Sequence, residues 1–364
     1  MADALSIFLP CPPGLEAALR DEAEEIGLPS PRVLPGGVES RAAWEDIWRA
    51  NLWLRGATRV LVRLGSFRAE SLPELEAAAR RFPWLDHLAA REPVRLDITC
   101  RKSRIAHAGA AAQKLERALR TLQIPVAPKA ELTVKVRIER DTCGVSVDTS
   151  GAPLHLRGHK QAVGKAPLRE TLAALFLREC GYTPGEPVMD PMCGSGTFVI
   201  EAAEIAMGLP PGRDRRFAFE RLPSFNSARY AALKGFTAQE AEPRFFGSDR
   251  DEGAVRGAQA NARRTGVAKL VDLQCAPVSD LTARGGPGLV MVNPPYGERI
   301  GNRQALFSLY RALGDALRAP GFSGWRLGMV TSDGGLAKAT GLDLNAGPPV
   351  AFGGLKVKLY QARL

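Results

Sequence analysis

The segment Asp190-Pro191-Met192-Cys193-Gly194-Ser195-Gly196-Thr197 does most to restrict how this chain can fold. It lies between a short apolar strand, Val188 to Asp190, and an apolar helix, Phe198 to Met207, so that strand, glycine turn and helix follow without a spacer. Glycine lets the backbone turn sharply and approach a bound molecule, and a helix start offers free N–H groups. The turn lacks the Gly-Lys-Ser/Thr ending of a Walker phosphate loop, and Val199 stands where the dinucleotide pattern G-x-G-x-x-G needs its third glycine.

Around this turn, strands alternate with helices. Phe245 to Asp249, Leu270 to Cys275, Gly288 to Asn293 and Arg326 to Thr331 read as further strands, which predicts a doubly wound parallel α/β sheet. Leu355 to Leu364 alternates like an edge or hairpin strand. The first half has a different rhythm. Strands are predicted at Leu5 to Pro10, Ala57 to Leu64, Val94 to Thr99, Glu131 to Glu139 and Thr142 to Asp148. Helices are predicted after Pro12-Pro13-Gly14, over Ala43 to Leu54, Pro73 to Ala79 and Gly109 to Leu122. Trp44, Ile47, Trp48 and Leu52 are spaced for burial, so these aromatics read as core. Gly36-Gly37 marks a turn. Between the halves, Ser150 to Arg169 is rich in proline, glycine and basic side chains and has no acidic residue, and the domain boundary is placed there.

At 364 residues the chain is too long for one core. Its 45% apolar and 24% charged residues exclude a disordered protein. No apolar run is long enough for a membrane helix, and Met1-Ala2-Asp3-Ala4 does not open a signal peptide, so a soluble, cytoplasmic protein is expected. Six cysteines without a C-x-x-C pair indicate neither a metal site nor a disulfide framework. The net charge of +10 suggests a polyanionic partner, and it is segregated: residues 1–48 carry three basic against nine acidic side chains, residues 91–120 eight against three.

Two further strand ends carry chemistry. Phe245-Phe246-Gly247-Ser248-Asp249-Arg250-Asp251 ends a strand in Asp249, whose carboxylate can accept two ribose hydroxyls; Asp251 reads as the cap of the next helix. Asp249 follows Asp190 by 59 residues, whereas a dinucleotide fold places its acid about 20 on. An acid beside a glycine turn suits S-adenosylmethionine, whose ammonium needs an anion. Asn293-Pro294-Pro295-Tyr296 follows the apolar run Leu289 to Val292. The Asn293 amide oxygen and the Pro294 carbonyl can act as paired acceptors for a planar amino group, with Tyr296 stacking on its base; a tight turn after a buried strand is the plainer alternative. Methylation at nitrogen needs positioning rather than an activated nucleophile.

The three segments together resemble class I S-adenosylmethionine-dependent amino methyltransferases, a group that also includes DNA adenine-N6 and protein glutamine-N5 enzymes. Gly14-Leu15-Glu16, Ile98-Thr99-Cys100-Arg101-Lys102-Ser103-Arg104, His107, His155-Leu156-Arg157-Gly158-His159 and Ala166-Pro167-Leu168-Arg169-Glu170-Thr171-Leu172 extend the likeness along the chain. They resemble the THUMP-containing RNA methyltransferases, in the bacterial branch similar to large-subunit rRNA guanine-N2 methyltransferases. The resemblance implies a ferredoxin-like subdomain over 1–62, a THUMP RNA-binding domain over 63–150, a basic linker over 151–169 and a Rossmann-like methyltransferase domain over 170–364. It implies N2-methylation of an exposed guanine, in 23S rRNA first and in tRNA as the alternative, with protein glutamine N5-methylation less favoured.

The cofactor residues so implied are Asp190, Met192, Cys193, Gly194, Ser195, Gly196, Thr197, Asp249, Arg250 and Val278, with Pro167 and Leu168 from the A-P-L-R-E-T-L segment. Pro277 departs from the family pattern, which has an acid there for the adenine amine; Asp280 or the backbone of Val278 would have to replace it. Arg101, Lys102, Arg104, His107, Arg157 and Lys160 are expected to contact RNA, because basic residues beside a strand can meet phosphates. Arg213, Arg215 and Arg216 read as a second RNA patch or a disordered loop.

Overall fold

The computed structural model describes residues 4–161, 168–242, 244–296 and 303–364. The chain divides into two compact units. The first comprises Met1–Pro10, Arg20–Leu154 and Asp214–Gly235, the second Cys11–Leu19, His155–Arg213 and Phe236–Leu364. No helix among the described residues is long and apolar enough to cross a membrane.

The first unit is built on one seven-stranded sheet: β1 (Leu5–Pro10), β2 (Arg32–Leu34), β3 (Gly37–Ala42), β4 (Leu61–Arg68), β5 (Val94–Arg101), β6 (Leu132–Glu139) and β7 (Thr142–Asp148), in the order β2-β3-β1-β4-β7-β6-β5. All neighbours are antiparallel except β5 and β6. A parallel pair needs a crossover. The helix Ala108–Thr121 makes it, burying Ala111, Leu115, Ala118 and Leu119 on one stripe. The division expected at residue 62 falls inside β4, so the two expected subdomains share this sheet. Residues 214–235 return from later in the chain. Their Phe219, Phe225 and Tyr230 surround Trp48, with ring centroids 5.8 to 6.4 Å from it.

The second unit carries β8 (Val188–Asp190), β9 (Phe245–Asp249), β10 (Val271–Cys275), β11 (Leu289–Val292), β12 (Arg326–Thr331), β13 (Asn345–Ala346), β14 (Val350–Phe352) and β15 (Leu355–Arg363). Their order is β10-β9-β8-β11-β12-β15-β13, with β14 paired to β15. The first five of that order are parallel. Val290 and Val292 face a cluster with Tyr310, Leu313 and Leu317 of the helix Arg303–Leu317. Met291 turns to the opposite face: a Cβ at Gly328 would lie 2.5 Å from both its sulfur and that of Cys180. Both faces are therefore covered, the doubly wound arrangement expected. The strand expected over Leu355 to Leu364 takes the hairpin alternative: Leu355 to Val357 pair with β14 across Gly353-Gly354, and Lys358 to Arg363 continue against β12, with β13 beside Tyr360 and Gln361.

Strand order reverses around β8, which has β9 on one side and β11 on the other. In open α/β sheets, ligands bind outside the carboxyl ends of strands at such a reversal. Asp190, Asp249 and Asn293 end or immediately follow these three strands.

Candidate active site

The turn after β8 is held by its own backbone and by β9. Gly194 (φ +52°) and Gly196 (φ +79°) occupy the left-handed region that other residues enter only under strain. Gly196 also caps the helix Thr197–Ala206, and a Cβ there would come within 3.1 Å of Ala258. A Cβ at Gly194 would meet nothing, so its demand is conformational. The Cys193 amide donates to the Ser248 carbonyl at 2.9 Å, and the Gly194 amide to Asp249 Oδ2 at 3.0 Å. Asp249 Oδ1 accepts the Asp251 amide at 3.0 Å. Asp251 accepts from the amides of Gly253 and Ala254 and caps the helix Glu252–Thr265, as expected. Each Asp249 oxygen is thus fixed by one backbone amide and retains a lone pair for a hydroxyl donor.

Asp190 is 3% exposed and accepts the Met192 amide at 3.1 Å. Burial pushes its carboxyl up to about 8; the Met192 hydrogen bond opposes the shift and the charge of Asp249 adds to it. A cation placed beside it would restore the carboxylate. Met192 packs on the apolar cluster, Cys193 is buried against Gly247, and Arg250 is exposed. Val278 is buried in the cluster, whereas Asp280 is exposed and accepts the Ser279 hydroxyl at 3.0 Å.

At the end of β11, Asn293 Oδ1 and the Tyr296 hydroxyl are buried without a hydrogen-bond partner among the described residues. An unsatisfied buried acceptor costs about 1–3 kcal/mol. Tyr296 packs against the cluster, Pro294 is buried and Pro295 partly exposed. Burial pushes the Tyr296 hydroxyl up to about 12, so it remains protonated. Leu168 is buried; Pro167 lies outside the described residues.

These features fit S-adenosylmethionine: a buried carboxyl that an ammonium would ionise, a backbone-tethered carboxylate that could accept ribose hydroxyls, a turn open above Gly194, and a buried amide oxygen, Asn293 Oδ1, with no partner among the described residues. Residues 157–355, more than half of the chain, match the family described as RMKL-like, methyltransferase domain. The chain belongs to this family. Residues 6–61 match a second description, RlmL ferredoxin-like domain. A ribosomal RNA large subunit methyltransferase K/L from Marinobacter nauticus is 36% identical over 92% of this chain, and one from Psychromonas ingrahamii 32% over 93%. This chain covers 49% and 47% of those relatives, about half their length. The crystal structure of SMU.472 complexed with S-adenosylhomocysteine aligns with 100% of this chain and 99% of its own at a TM-score of 0.89 and 29% identity.

The residues expected to meet RNA fall into two groups. Arg101, the last residue of β5, and Lys102 after it are exposed, with no side-chain partner among the described residues, and Lys102 is left-handed at φ +48°. Arg104 is already paired with Glu70, and its amide donates to Asp141 at 2.8 Å. His107 is exposed at the start of the crossover helix. Arg157 and Lys160 correct the expectation. The Arg157 side chain is 1% exposed and paired with Glu201 and with Glu204, the latter at 3.4 Å. Lys160 Nζ donates to Thr197 Oγ1 at 2.9 Å and to the Leu168 carbonyl at 2.5 Å. Neither is placed to meet a phosphate, because both charges are buried and matched by fixed partners within the fold. Arg213 and Arg215 are not a free patch either: Arg213 pairs with Glu204 at 2.7 Å, and Arg215 donates to the carbonyls of Ala152 and Pro153. Arg216 alone of the three is largely exposed, at 90% of its side chain.

Sequence reasoning missed Glu170, Asn261 and Arg264, which hold the linker and the turn. The available signal was Glu201 and Glu204, two acids on an otherwise apolar helix, which required basic partners from elsewhere.

Proposed function

We propose that this chain transfers a methyl group from S-adenosylmethionine to the N2 amine of a guanosine in structured RNA, 23S rRNA foremost. Asn293 Oδ1, buried just past the end of β11 with no partner among the described residues, carries this reading. When bound, S-adenosylmethionine supplies an electrophilic sulfonium methyl. Asp190 receives the ammonium, Asp249 the ribose hydroxyls, and Gly194 leaves room for close approach. Asn293 Oδ1 and the Pro294 carbonyl would accept the two amine hydrogens and so orient the nitrogen lone pair toward the methyl group that the cofactor would supply. The cofactor would leave as S-adenosylhomocysteine with the C–S bonding electrons, and the amine would release its extra proton to solvent. The barrier falls mainly through positioning, since no atom here needs prior activation. Val278 provides an apolar neighbour for adenine, with its backbone rather than exposed Asp280 facing the ring edge. The domain arrangement expected from the resemblance assigns RNA capture to the first unit, through Arg101 and Lys102. The target guanine has to be unpaired or flipped out, because N2 inside a stacked duplex is closed to in-line attack.

Nucleoside mass spectrometry on separated rRNA and tRNA from a deletion strain and its parent tests this. Loss of N2-methylguanosine from large-subunit rRNA is expected. Loss from tRNA alone would retain the chemistry and change the substrate; loss from neither would end the RNA reading and turn attention to a protein amide.

A further inference from the structure

The linker residues that the fold buries converge on the glycine turn by two routes. Lys160 has three ammonium hydrogens and three acceptors around it: Thr197 Oγ1 at 2.9 Å, the Leu168 carbonyl at 2.5 Å and Glu170 Oε1 at 3.5 Å. Thr197 Oγ1 lies 3.3 Å from the Ser195 hydroxyl. On the second route, Arg264 Nε donates to the His159 carbonyl at 2.6 Å, and the same guanidinium bonds Asn261 Oδ1. Asn261 Nδ2 then donates to the Ser195 carbonyl at 3.0 Å. Both routes therefore end on the segment Ser195 to Thr197. The space they enclose is a void of about 10 Å³, room for at most one water.

Such bracing has a physical purpose. A turn containing two left-handed glycines is conformationally loose in isolation, and a loose turn must be ordered at the expense of binding. Arg157, ion-paired to Glu201 and Glu204, anchors the linker to the helix that the turn begins. We infer that His159 and Lys160 are positioning residues that hold Ser195 and Thr197 in the conformation the cofactor needs, and that Lys160 in addition fixes the backbone at Leu168. His159 acts through its carbonyl and Lys160 through its ammonium. The inference rests on reading this turn as the cofactor site. Burial lowers the Lys160 ammonium and raises the Glu170 carboxyl from their usual ranges, while their mutual attraction opposes both shifts.

The test uses the full chain as wild type, Lys160→Met, and the double variant Lys160→Met/Glu170→Gln, which avoids leaving a lone buried carboxylate if the single variant folds poorly. Hydrogen exchange in the ligand-free protein is read at the amides of Cys193, Gly194 and Gly196, with those of β12 as an internal reference. Exchange at the turn is expected to quicken at least tenfold while β12 keeps its rate. The S-adenosylhomocysteine dissociation constant should rise about tenfold, roughly 1.4 kcal/mol. KM for S-adenosylmethionine should rise in parallel, with kcat at saturating cofactor changed by less than about threefold, and the salt slope of binding to a 23S rRNA transcript should stay unchanged. Wild-type exchange at the turn in a folded variant would overturn the inference. So would a salt slope lowered by about one with wild-type cofactor affinity, which would make Lys160 a phosphate contact. A wild-type protein that binds no S-adenosylhomocysteine would defeat the methyltransferase reading, while the exchange rates would still decide the bracing.

Discussion

The Gly194 amide donates to the Asp249 carboxylate at 3.0 Å across 55 residues of chain, so the glycine turn and the acid at the end of β9 form one unit. Asp249→Ala should therefore lose the ribose acceptor and release the turn at once. Removing a hydrogen bond to a charged group costs about 1.5–3 kcal/mol, which corresponds to roughly a tenfold to hundredfold weaker S-adenosylhomocysteine affinity. Isothermal titration calorimetry measures it. Equal affinities for wild type and variant would remove Asp249 from the site.

With Asp190 as the partner of the ammonium, cofactor binding should depend on pH. Its carboxyl, raised by burial to about 8, is protonated in the ligand-free protein at neutral pH, whereas an ammonium ligand requires the anion. Affinity for S-adenosylhomocysteine should rise between about pH 6 and 8, by up to about tenfold per unit, and then level. Asp190→Asn should bind weakly with a flat profile. Stability runs the other way. The folded value lies above that of an unfolded aspartate, about 3.9, so the unfolded chain loses its proton first and ligand-free stability falls as pH rises from about 4 to 8. Ligand-free Asp190→Asn should melt several degrees above wild type at pH 8 and close to it at pH 4; an unshifted melting temperature at pH 8 would contradict the buried, raised carboxyl.

Much of this arrangement is legible locally. Leu5–Pro10, Thr142–Asp148, Phe245–Asp249 and Arg326–Thr331 are strands with the predicted limits, because each apolar run is bounded by a proline, glycine or polar turn. The hairpin of β2 and β3 escaped recognition although Gly36-Gly37 marked its turn, since three residues are too few for alternation to register. The strand predicted over Ala57 to Leu64 begins at Leu61 instead; ahead of it Leu54, Gly56, Ala57 and Val60 are buried, and the Thr58 amide donates to the Pro10 carbonyl at 2.8 Å without extending the strand. What local reading cannot supply is the tertiary partner. Arg157 and Lys160 look like solvated cations until Glu201, Glu204 and Glu170 are seen beside them. Likewise Trp48 has a burial pattern, but the Phe219, Phe225 and Tyr230 that cover it lie in residues 214–235, beyond the apparent domain boundary.

Asn293 separates catalysis from stability. Its Oδ1 is buried without a partner among the described residues, so Asn293→Ala removes an unsatisfied acceptor and breaks no hydrogen bond to that oxygen. Its melting temperature should equal or exceed that of wild type, and S-adenosylhomocysteine and RNA affinities should remain within about threefold. Methyl transfer under single-turnover conditions should fall by on the order of 10²–10³, the loss typical when one preorganised polar group is removed from a reacting centre. Transfer at more than a tenth of the wild-type rate would leave the Asn293 amide without its assigned part.

Arg101, Lys102 and Arg104 stand together in sequence but differ in how they are held. Arg104 already pairs with Glu70, and a phosphate would have to compete with that carboxylate. Arg101 and Lys102 are exposed and carry no such partner among the described residues. Each phosphate neutralised contributes about 0.7–0.9 to the slope of log K against log salt. Arg101→Ala/Lys102→Ala should thus flatten the slope for a 23S rRNA transcript by about 1.5, whereas Arg104→Ala should change it by less than half of one contact. Cofactor affinity, measured on the same preparations, should not move in either variant. A larger effect from Arg104 would mean that its pair with Glu70 opens on binding, and an unchanged slope in the double variant would take this loop out of the RNA interface.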